Sequence, residues 1–238
     1  MGLAVTVFVP EGIAIVTDGL AEIRNADSDN GFLQKKQKCL FSFKNRFLLC
    51  VQGEGFVNGM PYAFFINRIL KAMENLDFES TENFCLEFKN RVNTVISSKE
   101  KIVFYIAGID STEDANPIPV VYLLDNNLHI INQSNNKTVV YNYHSFGRNV
   151  WINKLLLPTT FKQGKDEYIE FDNCYIDFSK YSMEEAIEFG KSILEISHKM
   201  DKFTQLKQMV GEYVSVGFIT INGELCIENL YDRLVHKN

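Results

Sequence analysis

Residues 3–18, Leu-Ala-Val-Thr-Val-Phe-Val-Pro-Glu-Gly-Ile-Ala-Ile-Val-Thr-Asp, decide how this chain begins to fold. Residues 3–9 form an apolar, β-branched run, and residues 13–16 form a second one. Pro10-Glu11-Gly12 between them has the residue types that favour a tight turn. The stretch therefore predicts a β-hairpin whose second strand ends beside a lone carboxylate, Asp18.

A second hairpin is predicted from residues 38–43 and 47–52, which flank the turn Lys44-Asn45-Arg46. Lys38 begins it, so an acid and a base both lie at strand ends. A lysine beside a carboxylate in a partly buried setting has its charge state coupled to that partner, as in the activation of a nucleophile. From the residues alone, an ion pair with a purely structural role is the commoner explanation of such a pairing.

Apolar residues recur with helical periodicity in three stretches, which predicts helices over residues 61–76, 80–96 and 182–200. Ser80-Thr81 supplies a cap for the second helix, and Ser182 with Glu185 forms a Ser-x-x-Glu capping box at the start of the third. Gly190 lies on the apolar stripe of the third helix, which predicts a close approach to a neighbouring element. Residues 201–209 predict a shorter helix after it.

Strand patterns occupy the intervals around these helices: residues 102–107, 120–124, 128–131, 139–143, 213–220 and 225–228. Asn222-Gly223 between the last two is a strong hairpin signal. The helices are grouped in pairs and do not alternate singly with strands, which argues against a doubly wound parallel sheet. The order instead predicts an α+β fold with two antiparallel sheets and a helix layer outside each.

This order, with its short motifs, resembles the 20S proteasome subunits and their bacterial relatives in the N-terminal-nucleophile (Ntn) hydrolase superfamily. The resemblance runs from residue 3 to about residue 228. The motifs are short, and it is the order in which they occur together that is specific to the family. It implies a four-layer α-β-β-α sandwich flanked by helix pairs, in one proteasome subunit-like domain over residues 1–238. The chain would be a divergent member of bacterial type without the N-terminal threonine.

The resemblance also implies roles for individual residues. Active members begin with a threonine whose α-amino group and hydroxyl do the chemistry. Asp18 matches an assisting Asp, Lys38 matches an assisting Lys, and Gly53 lies in the glycine-rich turn whose backbone N–H serves as oxyanion donor. Asp201 and Thr204 resemble the family's Asp-x-x-Ser pair, which orients the terminal amine.

The position of the nucleophile is the main departure from the family pattern. Counting back from Asp18 by the family's spacing puts Gly2 there, and glycine has no hydroxyl. Thr6 lies further along the first strand, where cleavage would have to break ladder hydrogen bonds. Arg148 and Gln205 stand where the family has a serine and a glycine. We therefore expect that the chain keeps the fold of the family and lacks its peptidase activity.

Composition limits the remaining function classes. The formal net charge of -6 provides no basic footprint for nucleic acid. No apolar run approaches the roughly 20 residues of a membrane span, and the N-terminus has no signal-peptide pattern. We therefore expect a cytoplasmic protein that binds neither nucleic acid nor a membrane.

The five cysteines show no Cys-x-x-Cys spacing, so the sequence predicts no disulfide framework, no metal site and no cofactor. Cys39 follows Lys38, and a neighbouring cation can lower the pKa of a thiol. Adjacent residues on a strand point to opposite faces, however, so Cys39 is expected in the core and Lys38 outside it.

Three functions remain open at this stage. The first is a proteasome-like Ntn-fold protein without peptidase activity of its own, which serves as a structural or regulatory subunit with copies of itself or related subunits. The second is a threonine-peptidase-type or amidohydrolase enzyme activated by unexpected processing, in which Asp18 holds Lys38 charged and the Gly53 N–H meets the oxyanion. The third is a small-ligand-binding module that uses the degenerate cleft at Asp18 and Lys38.

Overall fold

The computed structural model describes residues 2–24, 32–53, 55–57, 60–95, 102–111, 116–125, 127, 129–132, 142–147, 159–163, 167–171, 176–203, 210–211 and 213–230. Within these residues the helices are α1 (Tyr62–Ala72), α2 (Thr81–Asn93) and α3 (Met183–Phe203), and a short 3-10 turn spans Phe178–Lys180. Its strands are β1 (Leu3–Val9), β2 (Gly12–Thr17), β3 (Leu20–Arg24), β4 (Phe32–Lys36), β5 (Leu40–Phe43), β6 (Phe47–Gly53), β7 (Phe56–Val57), β8 (Met60–Pro61), β9 (Ile102–Ser111), β10 (Pro117–Leu124), β11 (Ile130–Asn132), β12 (Tyr143–Gly147), β13 (Thr159–Gln163), β14 (Glu167–Phe171), β15 (Val214–Thr220) and β16 (Leu225–Leu230).

Two five-stranded sheets organise the structure. The first has the order β12-β1-β2-β15-β16 and the second the order β11-β10-β9-β6-β5, and all of these neighbours pair antiparallel. Three two-stranded ribbons, β3-β4, β7-β8 and β13-β14, accompany them. The predicted α+β fold with two antiparallel sheets is confirmed.

Alternating side chains divide the core into three layers. In β1, Val5 and Val7 join a cluster with residues of α3, whereas Ala4 and Phe8 join a cluster with residues of the second sheet. A third cluster lies between the second sheet and the helices α1 and α2. Because strand residues alternate between faces, each sheet is covered by helix on one side and by the other sheet on its second side. This is the predicted four-layer arrangement.

Helix α3 lies close to the first sheet at Gly190. A Cβ atom built on Gly190 would be 2.5 Å from Cγ2 and 2.9 Å from Cβ of Val16 on β2. Real Cβ atoms essentially never come this close to another carbon, so the contact requires glycine. The prediction that Gly190 allows a close approach is confirmed.

Helix starts follow the predicted caps. The Ser80 hydroxyl accepts the N–H of Asn83 (3.2 Å) at the start of α2. At α3, the Ser182 hydroxyl accepts the N–H of Glu185 (3.2 Å), while the carboxylate of Glu185 accepts the N–H of Ser182 (2.8 Å). Both caps satisfy N–H groups that lack a partner within the helix.

Several predicted boundaries differ from the structure. Helix α1 ends at Ala72 and not at residue 76. The chain continues in turns, where the Glu74 N–H donates to the Lys71 carbonyl (3.2 Å) and the Leu76 N–H to the Met73 carbonyl (2.9 Å), three residues back and not four. Lys44 donates to the Leu76 carbonyl (2.9 Å) beyond these turns. Residues 201–203 belong to α3, while residues 204–209 of the predicted shorter helix lie outside the described residues. The predicted strand 139–143 overlaps β12 only at Tyr143, and residues 139–141 lie outside the described residues.

The three ribbons were not predicted. β3 and β4, for example, have the sequences Leu-Ala-Glu-Ile-Arg and Phe-Leu-Gln-Lys-Lys, which contain a single β-branched residue between them. Intrinsic strand preference is therefore weak, and the pairing of the two segments decides their conformation.

Candidate functional site

The candidate site lies where β1 begins and β2 and β6 end. Because β1 and β2 are antiparallel, the start of β1 is beside the end of β2, and the Asp18 N–H donates to the Leu3 carbonyl (3.2 Å). Gln52 on β6 reaches across from the second sheet, where its Nε2 donates to the hydroxyl of Thr17. Strand ends of both sheets thus bring Gly2, Asp18 and Gln52 together.

Asp18 is fully buried and is held by a distant part of the chain. Its Oδ2 accepts the backbone N–H of Gly211 at 2.8 Å. Gly211 precedes β15, which pairs with β2, so the sheet order brings it to the end of β2. A hydrogen bond from an N–H to a carboxylate is charge-assisted and stronger than one between neutral groups.

Gly2 has no room for a side chain. A Cβ atom built on it would be 2.2 Å from Asp18 Oδ1, 2.9 Å from Asp18 Cγ and 2.9 Å from Gln52 Oε1. Gly2 is itself buried. The position that the resemblance assigns to the nucleophile therefore has neither a hydroxyl nor space for one, with Asp18 in its present place.

Gln52 is a site residue that the sequence analysis did not identify. Its side chain is 2% exposed, and within the described residues its Oε1 has no hydrogen-bond partner. A buried amide oxygen without a partner is uncommon in native structures. The available signal was a glutamine at the end of the otherwise apolar run 47–51, directly before Gly53.

Lys38 and Asp18 do not form the ion pair that their positions at strand ends suggested. Lys38 is exposed, and its Nζ lies 4.8 Å from the centroid of the Phe41 ring, whereas Asp18 is fully buried. The lysine, which precedes β5, interacts with the aromatic face of a residue on that strand. The structure therefore brings Gly2 to Asp18 but does not bring Lys38 to either.

Cys39 points inward, as predicted from its place beside Lys38. It is 1% exposed, and its Sγ lies 3.1 Å from the hydroxyl oxygen of Tyr62 on α1. Burial raises the pKa of the Cys39 thiol to about 12, and the nearby negative charge of Asp18 acts in the same direction. Burial likewise raises the pKa of Tyr62. Both groups are neutral at physiological pH, so Cys39 does not offer a thiolate nucleophile.

Gly53 ends β6 next to Gln52 and is buried. Its φ of 125° lies in the region that residues with a side chain rarely adopt. The backbone there needs a glycine, which agrees with the predicted glycine-rich turn. The role of its N–H as an oxyanion donor stays a prediction.

The inner face of α3 contributes a second group of buried polar residues. Asp201 is fully buried, and its Oδ2 accepts the N–H of Val210 at 3.2 Å. His198 is 2% exposed, with Nδ1 2.8 Å from the Val210 carbonyl oxygen. A carbonyl can only accept, so Nδ1 carries the proton and donates it. Asp201 was predicted from the sequence, and His198 was not. Thr204 lies outside the described residues.

Thr6 lies in the interior of the first sheet. It is 1% exposed, and its backbone is opposite Ile15 on β2 and His144 on β12. Strands on both sides enclose it, which agrees with the expectation that the strand carries ladder hydrogen bonds. Arg148 and Gln205, the other departures from the family pattern, lie outside the described residues.

Neither a metal-binding cluster nor a membrane-spanning helix is found among the described residues. They contain no group of three or more His, Cys, Asp or Glu side chains placed to hold a metal ion. None of their helices combines the length and the apolar character needed to cross a membrane.

The fold has a solved counterpart. The structure of Anbu (ancestral beta-subunit) from Yersinia bercovieri superposes with a TM-score of 0.60, over 97% of this chain and 87% of that one. Only 11% of the aligned residues are identical, so the similarity establishes the fold. The sequence matches no protein-family model and no curated protein. The chain thus has a proteasome-like α+β sandwich fold.

Proposed function

We propose that this protein has no peptidase activity of its own and serves as a structural or regulatory subunit of an oligomer. The observation that carries the proposal is the packing at Gly2, where a Cβ atom would lie 2.2 Å from Asp18 Oδ1. An Ntn mechanism needs a hydroxyl or thiol on the residue at this position. Gly2 supplies none, and the carboxylate of Asp18 lies where such a side chain would begin.

The other candidate nucleophiles also argue against hydrolysis. Thr6 is enclosed by neighbouring strands, and Cys39 is buried with a pKa of about 12. Lys38, which would assist a nucleophile, extends into solvent with its Nζ over the Phe41 ring. A base that does not reach the reacting position cannot accept its proton.

The oligomer part of the proposal rests on the structural similarity. Anbu, a solved structure with this fold, is named an ancestral beta-subunit, and a subunit works within an assembly. We propose that the present chain likewise associates with copies of itself or with related chains. Most soluble oligomers are symmetric assemblies of identical chains, so self-association is the simpler form.

The test of the chemical part is covalent trapping of the full chain. The protein is incubated with an epoxyketone and with a β-lactone, which trap terminal threonines, and its intact mass is measured before and after. An active threonine peptidase, treated in parallel, is the positive control. We expect an unchanged mass for this protein and an adduct on the control.

An adduct that maps to the first residues of the chain would contradict the proposal. The same spectrum shows whether the mature chain begins at Met1, Gly2 or Thr6. A Thr6 terminus with an adduct would establish the processed-hydrolase alternative.

Light scattering tests the assembly part independently. A solution mass that is a multiple of the 27.3 kDa chain is expected. A strict monomer over a range of concentrations would refute the subunit role and leave the absence of peptidase chemistry standing.

A further inference from the structure

A two-residue segment, Val210-Gly211, connects Asp18 to helix α3. Gly211 donates its N–H to Asp18 Oδ2 at 2.8 Å. Val210 uses both of its main-chain polar groups on the helix, donating its N–H to Asp201 Oδ2 (3.2 Å) and accepting from His198 Nδ1 (2.8 Å). All five residues are buried. A continuous path of hydrogen bonds therefore runs from the end of β2 to α3.

The helix binds this segment with two side chains on one face. His198 and Asp201 are three residues apart on α3, so they point to the same side of the helix. His198 donates to the carbonyl of Val210, and Asp201 accepts the N–H of Val210. Together the two side chains bind both main-chain polar groups of one residue. These two hydrogen bonds fix the position and the orientation of Val210. They thereby also fix the direction of the Gly211 N–H, which points to Asp18.

We propose that Val210-Gly211 is an internal latch that keeps Asp18 occupied, and that His198 and Asp201 are the positioning residues that hold the latch closed. In the closed latch the Gly211 N–H occupies an acceptor position of Oδ2, so another hydrogen-bond donor can bind there only after the latch opens. Access to Asp18 is then controlled from α3. The inference does not rest on the proposed absence of peptidase activity, because it concerns only which group occupies the carboxylate.

The energetics favour the closed latch. A buried carboxylate must have hydrogen-bond donors, because desolvation of an unpaired charge is costly. The backbone N–H is already in place and loses little further entropy on binding, unlike an incoming donor molecule. Removal of the His198 donor leaves the Val210 carbonyl buried without that partner, which weakens the closed state relative to an open one.

Carboxyl footprinting of the full chain tests this inference. A carbodiimide activates accessible carboxylates, glycine ethyl ester forms the amide, and peptide mass spectrometry locates each label. The variants are His198→Leu, which removes the donor, and His198→Asn, whose side-chain N–H can replace Nδ1. The wild-type chain is labelled alongside them.

Two controls accompany the variants. Leu194→Ala truncates a fully buried side chain of α3 outside the latch and controls for general loss of stability. Asp77, whose side chain is 96% exposed, is the internal control for labelling in every sample.

We expect rapid label on Asp77 in all samples, and label on Asp18 only at one slow basal rate in the wild type, His198→Asn and Leu194→Ala. In His198→Leu, Asp18 should be labelled about tenfold faster, the factor that corresponds to the loss of one buried hydrogen bond. Equal labelling of Asp18 in His198→Leu and Leu194→Ala would overturn the inference. So would labelling of Asp18 in the wild type as fast as that of Asp77, or an unchanged Asp18 rate in a folded His198→Leu.

A second measurement needs no variant, in case His198→Leu does not fold. Hydrogen exchange of the wild-type chain, followed by NMR, reports the Gly211 N–H directly. Strong protection is expected because this amide is buried and bound to a carboxylate. A Gly211 amide that exchanges as fast as the amide of Asn222 in the exposed final turn would overturn the inference.

Discussion

At the scale of single residues, the candidate site is defined by what fits beside Asp18. Gly2 is the residue at which sequence and structure support each other most directly: glycine lacks the hydroxyl, and the surroundings leave no space for a side chain. Asp18 was identified from its place at the end of a strand, and the structure adds its partner, Gly211. Lys38 was identified by the same reasoning, yet its side chain extends to solvent.

A double-mutant cycle on Gly2 and Asp18 tests this packing. Gly2→Ala should destabilise the fold by about 1–3 kcal/mol, because its Cβ overlaps the Asp18 carboxylate. Asp18→Ala should cost about 1–3 kcal/mol by leaving the Gly211 N–H unsatisfied. The double variant should cost less than the sum, since removal of the carboxylate makes room for the new methyl group. Urea unfolding measures all three variants, and strictly additive effects would refute the overlap.

At the scale of elements, local patterns determined the starts of helices and the turns of hairpins. The capping box of α3 and the cap of α2 were predicted and are present. A longer-range partner of α3 was not predicted: Glu11, in the turn between β1 and β2, accepts the N–H of Met183 at 2.8 Å. A carboxylate at this end of a helix also interacts favourably with the helix dipole.

The turn between β5 and β6 provides a test of backbone conformation. Lys44 and Asn45 both have φ of 51°, a combination that type I′ turns require. Asn45→Gly should leave stability unchanged or raise it slightly, whereas Asn45→Val should lower it by about 1–3 kcal/mol because a β-branched residue is strained at positive φ. Asn45 is exposed, so the pair isolates the backbone effect. Equal unfolding midpoints for the two variants would contradict the turn assignment.

The capping box of α3 predicts a dependence of stability on pH. Hydrogen bonds from the N–H and hydroxyl of Ser182 lower the pKa of Glu185 below its ordinary value of 4.5. A carboxyl group whose pKa is lowered by folding stabilises the fold above its ordinary pKa, and this contribution is lost as the pH falls through the lowered value. Unfolding midpoints measured from neutral to acidic pH should therefore fall less steeply in Glu185→Gln than in the wild type.

Glu184 is the matched control for this experiment. It lies in the same first turn of α3 and is also exposed, so Glu184→Gln removes an equal charge without touching the capping box. Its pH profile should stay close to that of the wild type. If the two glutamine variants have the same profile, the pH dependence arises from general charge and not from the bonds to Ser182.

At the scale of the whole molecule, stability depends on how closely the layers approach. Gly190 of α3 lies against Val16 of β2 at a distance that admits no side chain. Gly217 of β15 has the same role between the sheets, since a Cβ there would be 2.8 Å from Cδ1 of Leu48. Small residues at these two contacts therefore help to set the spacing of three adjacent layers.

Gly190→Ala tests the spacing of α3 and the first sheet. Alanine favours a helix over glycine by about 1 kcal/mol, so propensity alone predicts stabilisation. The overlap with Val16 predicts the opposite, a net loss of about 1–3 kcal/mol. The double variant Gly190→Ala/Val16→Ala should cost less than the sum of the two single changes. A more stable Gly190→Ala would show that the helix can move away at little cost.

The sequence by itself determined what depends on neighbours along the chain. The two opening hairpins, the helix caps, the helices in their order and the missing hydroxyl at Gly2 follow from local period, turn chemistry and residue type. These features led to the sandwich fold through a resemblance that the structure confirms at the level of the fold.

Only the tertiary structure decided which groups meet across the molecule. Gly211 is bound to Asp18, Gln52 reaches Thr17 from the other sheet, and Lys38 reaches neither Gly2 nor Asp18. Local periodicity shows which face of a strand is buried, but it contains no distance between residues far apart in the chain. Those distances follow from the order of strands and the packing of layers. The hydrogen bond from Gly211 to Asp18 therefore forms only when the two sheets and α3 have come together.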